Sequence, residues 1–181
     1  YERLGIPEDQ TGLVFGIHSA SIMIFSLPMK HILAHLGRRL TITAGLILMF
    51  SALMLMSQQW FFDHATYVTL ACIGRLLQGM GFVFITVTCF SIATNFYPEK
   101  QHLIIGLLEA ADGLGMICGP SIGSLLYSHA GFYWTFRILA GIFFVVGLAV
   151  VAVLPPILDR HTTAASKEPA GYSAWRLLAS P

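Results

Sequence analysis

Five apolar runs, each long enough to cross a lipid bilayer, limit this chain to one kind of architecture. They extend from Thr11 to Met29, Leu40 to Ser57, about Tyr67 to Ile92, Leu103 to Tyr127 and about Phe136 to Leu154. A helix rises ~1.5 Å per residue and the hydrocarbon core is ~30 Å thick, so ~20 apolar residues make one crossing. The pattern predicts an all-α, polytopic membrane helix bundle with five transmembrane helices.

Composition agrees. Only 10% of the chain is charged and 56% is hydrophobic, against about 25% charged in an ordinary soluble domain. So few charges do not cover a soluble surface for 181 residues. A net charge of +1 gives no electrostatic case for nucleic acid. Cys72, Cys89 and Cys118 all lie inside apolar runs without paired spacing, which supports neither a disulfide framework nor a zinc site. The chain starts at Tyr1 with no signal peptide ahead of the first run, and reads as an excerpt.

The polar segments give the organisation. Residues 1–10, with a cap-like Asp9, read as an extracytoplasmic or lumenal loop, 11–156 as the five-helix part, and 157–181 as a cytoplasmic loop. A basic connection (Lys30, His31, His35, Arg38, Arg39) follows the first span, and an aromatic turn (Trp60, Phe61, Phe62) the second. Polar turns at Asn95–His102 and Ser128–Trp134 separate the later spans, and Pro155-Pro156 stops the last. With the start outside, Lys30, Arg38, Arg39, Lys100, Arg160, Lys167 and Arg176 collect inside; Arg3 is outside and Arg137 near an outer end.

The fourth run carries an unusual stripe. Glu109 and Asp112 lie three residues apart, followed by glycines at Gly115, Gly119 and Gly123. At about 100° per residue, Asp112 and these glycines share one side, with Glu109 at its edge. In water each interior Gly costs ~1 kcal/mol against Ala; in a membrane a small-residue stripe lets another helix approach closely. Pro120 within it allows a bend. Arg75, well inside the third run, needs a protein or water surrounding, since an unpaired charge there costs at least ~2.5 kcal/mol. It suits a cavity wall that handles substrate or proton, a structural ion pair, or a reach toward headgroups; Gln78 and Gly79 share its face. Glu109 and Asp112 suit proton carriage, because a carboxyl in low dielectric can load and unload near neutral pH, or a water-filled inner vestibule. Helical rise separates Arg75 and Glu109 by ~15 Å in depth, against a direct bridge.

Three signatures carry a family resemblance. Leu33-Ala34-His35-Leu36-Gly37-Arg38-Arg39 looks like the second half of the cytoplasmic loop motif G-x-L-A-D-R-x-G-R-R, with Lys30 and Ala34 where that motif has Gly and Asp. Arg75-Leu76-Leu77-Gln78-Gly79-Met80-Gly81 matches a fourth-helix motif R-x-x-Q-G-x-G, and Gly115 to Gly123 with Pro120 matches the antiporter motif G-x-x-x-G-P-x-x-G. In this order and spacing the chain resembles the amino-terminal half of a major facilitator superfamily transporter, helices two to six. It is closest in motif to drug–proton antiporters and vesicular amine or polyamine transporters.

That resemblance implies a secondary active transporter working by alternating access, with the first helix and a second six-helix half as missing partners. It implies proton-coupled antiport of a small organic cation or drug-like amine, with the proton as coupling ion and no cofactor or metal. Arg75, Gln78, Glu109 and Asp112 are then the substrate or coupling candidates. The altered loop motif keeps a second expectation, a truncated or degenerate relative serving as a structural membrane subunit. Nothing supports an enzyme: Gly113-Leu114-Gly115 begins like a dinucleotide fingerprint, but Cys118 replaces its third Gly and two carboxylates would repel phosphate. Lone His18 reads as a helix–helix hydrogen-bond partner, and His31 and His35 as solvated basic flank.

Overall fold

A computed structural model describes residues 8–59 and 63–154. All its regular structure is helical: α1 (Glu8–Ser26), α2 (Met29–Leu36), α3 (Arg38–Gln58), α4 (His64–Phe96), a 3-10 turn (Pro98–Lys100) and α5 (Gln101–Val153). Residues 1–7 of the loop expected at 1–10, the aromatic turn at Trp60, Phe61 and Phe62, and the tail from Pro155 lie outside the described residues.

Among the described residues three helices are long and apolar enough to cross a membrane, or four if the bent pair α1 and α2 counts as one span. The longest supplies two passes. Gly131 interrupts α5 with φ 73° and ψ 174°, a conformation essentially reserved for glycine. Asp112 and Phe143, on either side of it, line one cavity, although 31 residues of unbroken helix would separate them by ~47 Å. The chain therefore folds back at Gly131, and α5 consists of two arms, 101–130 and 132–153. Among the described residues, α3, α4 and these two arms then make four passes, and the bent pair α1 and α2 makes a fifth where it counts as one span.

Several boundaries move. The first span is α1, from Glu8 to Ser26, so Asp9 lies inside the helix rather than capping it. The basic connection is itself helical: α2 turns 62° from α1, starting after Pro28, and ends at Gly37. Gly37 has φ 79°, and its N–H caps the Leu33 carbonyl. Proline removes a donor and glycine reaches positive φ, so a bend between two helices replaces the expected loop. The turn expected across Ser128–Trp134 shrinks to Gly131 alone. Helical dihedrals continue through Pro120.

Helix α4 is the spine, packed on α1 and on α3, while α3 also packs on α5. Met29, Val83 and Phe84 form the core, with Ile22, Ala44, Leu48 and Met80 against it. The buried hydroxyls of Thr41 and Thr88 donate to Gly37 and Phe84 carbonyls at 2.6 Å, each four residues back in the chain. Such bonds offset the cost of placing a hydroxyl in an apolar interior. Large apolar side chains such as Met116 (74% exposed) and Ile117 (73%) cover the outside, as suits lipid as solvent.

Candidate functional site

Two groups of ionisable side chains stand against different faces of α4, one at its seam with α1 and one on the first arm of α5. The first is the seam with α1. Arg75 donates from Nη1 to Gln78 Oε1 at 3.0 Å, and its guanidinium lies 4.9 Å from the centre of the Phe15 ring. Arginine over an aromatic face is favourable, more so where water is scarce. The backbone of the same turn receives α1: Ser21 Oγ donates to the Leu76 carbonyl at 2.8 Å, and His18 Nδ1 lies 3.5 Å from the Arg75 carbonyl oxygen. His18 thus takes the helix–helix role expected of it.

Glycine makes this seam possible. A Cβ on Gly79 would lie 2.8 Å from the His18 carbonyl oxygen and from the Ser21 side chain. On the opposite side of α4, a Cβ on Gly81 would lie 2.9 Å from the Gly45 carbonyl oxygen of α3, and one on Gly45 would lie 3.0 Å from that of Gly81. The Gly45–Gly81 contact was not anticipated in the sequence: Gly45 belongs to no motif, and only the pairing of α3 with α4 gives it meaning.

The second group is a cavity of about 540 Å³ between α3, α4 and both arms of α5. Glu109 and Asp112, both exposed, stand at it from the first arm. Phe82, Phe90 and Phe143 provide aromatic surface, and Thr86 and Cys89 small polar groups. The carboxylates are one helical turn apart, so a cation in the cavity can be approached by both. The structure brings Glu109, Asp112 and the aromatic rings together at the cavity, while Arg75 and Gln78 bond to each other at the α1 seam.

The glycine stripe below the carboxylates has no neighbour among the described residues. A Cβ added at Gly115, Gly119 or Gly123 meets nothing within 4 Å among the described residues. The described residues do not include a helix that uses this face, and Pro120 is exposed within unbroken helical backbone.

The loop motif proves to be a fastening. Arg38 is 3% exposed, donates from Nε to Ser91 Oγ at 3.2 Å and stacks 5.3 Å from the Phe96 ring centre. Arg39 Nη2 donates to the Val151 carbonyl at 3.5 Å. Together they tie the start of α3 to the ends of α4 and α5, with Gly37 setting the angle.

Comparison with known proteins follows the same lines. Residues 1–181 match the family model described as Major Facilitator Superfamily. Over 181 residues the chain is 24% identical to the human MFS-type transporter SLC18B1, covering 99% of this chain and 38% of that protein. Over 150 residues it is 26% identical to the human synaptic vesicular amine transporter, covering 81% of this chain and 28% of that protein. A shorter stretch of 71 residues is 31% identical to the efflux pump mokI of Monascus pilosus, covering 39% and 13%. The chain thus spans less than two-fifths of the length of these relatives. No solved structure matches it.

Proposed function

The chain belongs to the Major Facilitator Superfamily, and from that premise we propose that it is part of a proton-coupled antiporter for a small organic cation or drug-like amine. Members of this family are integral membrane transporters, which supports reading the chain as part of a membrane transporter. The finer reading rests on one observation: Glu109 and Asp112 face a cavity walled by Phe82, Phe90 and Phe143. Carboxylates compensate an ammonium, and aromatic faces attract it further once water is thin. A carboxylate that alternately holds a proton and an amine exchanges one for the other. The names of two relatives, a vesicular amine transporter and an efflux pump, lean the same way.

In this reading Arg75, held by Gln78 and Phe15, carries a second charge on the α1 side of α4 and acts in coupling. The Gly115–Gly119–Gly123 ridge is the face on which a helix beyond the described residues closes the cavity during the transport cycle. The first helix and a second six-helix half complete the working protein. A structural subunit is the competing reading, favoured by Lys30 and Ala34, which stand exposed on α2 in place of the motif's Gly and Asp.

The test is amine uptake by the full-length protein in vesicles with an imposed pH gradient. Glu109→Gln with Asp112→Asn is expected to lower gradient-driven uptake more than about tenfold, a loss of ~1.4 kcal/mol or more, with membrane insertion unchanged. Arg75→Ala is expected to abolish uptake. Gradient-driven uptake at wild-type level in the double carboxylate variant rejects the antiport reading, and no uptake by the wild type of any amine in a broad panel favours the structural subunit.

A further inference from the structure

A second cavity lies in the seam between α3 and the second arm of α5, and it does not share the chemistry of the first. It measures about 260 Å³ and is lined by Leu46, Ile47 and Phe50 from α3 and by Phe144, Gly147 and Leu148 from α5. We propose that it holds one acyl chain of an anionic phospholipid, whose headgroup phosphate is bound by Arg39.

The helices run antiparallel here. A Cβ on Gly147 would lie 3.7 Å from Leu46 Cβ, and the Phe50 and Phe144 rings lie 5.5 Å apart further along. At the opposite end the lining is Thr43 and Val151, and Arg39 sits over them through its 3.5 Å hydrogen bond to the Val151 carbonyl. The Thr43 hydroxyl donates to the Arg39 carbonyl at 2.9 Å, so the single polar side chain of the lining is satisfied by its own helix. The result is a channel with a cation at its mouth and hydrocarbon below.

Its dimensions fit a chain and not a helix. From Arg39 to Phe50 the α3 backbone rises ~16 Å, about half of a ~30 Å hydrocarbon core, the depth of a single leaflet. A helix of that length, ~10 Å across, would displace on the order of 1,300 Å³, several times the space present. Ile47 (61% exposed), Leu148 (57%) and Phe144 (51%) open the groove sideways to lipid. The face of α3 that carries Gly45 is taken by Gly81 of α4, so this seam lies on a different face of α3.

The charge selects the headgroup. Arg39 lies at the end where Lys30, Arg38 and Arg39 gather, the side the distribution of basic residues assigns to the cytoplasm. That leaflet carries the anionic lipids. A guanidinium has five N–H donors, and phosphate takes two of them in a paired geometry that an ammonium cannot offer. Phe143 is the common wall between this groove and the carboxylate cavity, but no carboxylate lines the groove, and the proposal holds whichever substrate the protein moves.

The experiment places the full-length protein in nanodiscs of equal phosphatidylglycerol and phosphatidylcholine and reads retained lipid by native mass spectrometry. One phosphatidylglycerol is expected to stay bound, favoured about fivefold over phosphatidylcholine, the factor one basic residue contributes at an anionic surface. Arg39→Gln is expected to remove that preference while a lipid is still retained. Ile47→Trp and Leu148→Trp each fill the groove from its exposed side without touching the α3–α4 contact, and are expected to lose the lipid altogether. Circular dichroism and gel filtration confirm that these variants are folded, and two facing positions guard against one failing. Equal retention of both lipids by the wild type overturns the proposal, as does wild-type retention in both tryptophan variants or an unchanged preference in Arg39→Gln. A cross-link from Leu148→Cys to another protein segment or to a second copy assigns the groove to a helix, and also overturns it.

Discussion

The glycines of α4 and those in the first arm of α5 meet opposite surroundings. In α4, Gly74 and Gly81 lie seven residues apart and both face α3, while Gly79 faces α1. Two residues turn the helix by about 200°, so Gly79 and Gly81 admit neighbours on opposite sides. In α5 the regular series Gly115, Gly119 and Gly123 meets nothing within 4 Å among the described residues. The more regular pattern is the emptier one. Regular spacing shows that a helix has prepared one face for close approach. Whether that face is in use depends on which other helix is present.

This contrast can be broken by substitution. The largest effect is expected at Gly79. Gly79→Leu would drive a side chain through the His18 carbonyl and Ser21, and folded, monodisperse protein is not expected. Even Gly79→Ala should cost ~1–3 kcal/mol, the usual toll of overpacking, read as a lowered unfolding temperature in detergent. An unchanged unfolding temperature would mean that α1 does not seat on α4.

Next comes the Gly45–Gly81 contact. Gly45→Ala and Gly81→Ala each introduce a methyl against the other's backbone oxygen, at 3.0 and 2.9 Å. Each should cost ~1–3 kcal/mol, and the double variant should depart from additivity by ~0.5 kcal/mol or more, because one separation of helices relieves both clashes. Strict additivity would show that the two glycines act on different contacts.

Smaller still is Ser21→Ala, which removes the 2.8 Å hydrogen bond to the Leu76 carbonyl but leaves the glycine seat intact. Polar contacts between membrane helices average ~0.6 kcal/mol, and a loss of that order in the same unfolding assay is expected. A loss as large as that of Gly79→Ala would transfer the weight of the seam from shape to hydrogen bonding.

The smallest effect on stability is expected at Gly119. No atom of the described residues lies within 4 Å of its added Cβ, so Gly119→Ala should shift unfolding by less than about 0.5 kcal/mol. If the ridge is approached only during the transport cycle, uptake should fall while stability holds. A stability loss equal to that of Gly79→Ala would show the ridge packed in the resting protein.

The apolar runs made the helices legible, because bilayer thickness imposes a length that needs no knowledge of tertiary contacts. His18 was legible as a helix–helix partner for a related reason, whereas Gly79 stood out only as part of a motif, and its seat for α1 is visible only in the structure. The segment after Pro28 was not legible. A dense basic run reads as a loop, yet Met29 is 1% exposed in the core and draws its helix in with it. Arg38 was read as part of a loop motif and is instead buried, because Ser91 and Phe96, more than fifty residues on, supply its partners. The carboxylates were picked out by type and spacing, but Phe143 joined them only through the reversal at Gly131.

That reversal bears on how the protein is met from the water. Two bilayer-length arms joined through a single residue leave no slack to cleave, tag or lengthen at that corner. Whatever inspects that corner finds the tips of two helices and the crossed rings of Tyr133 and Trp134, set for the headgroup layer.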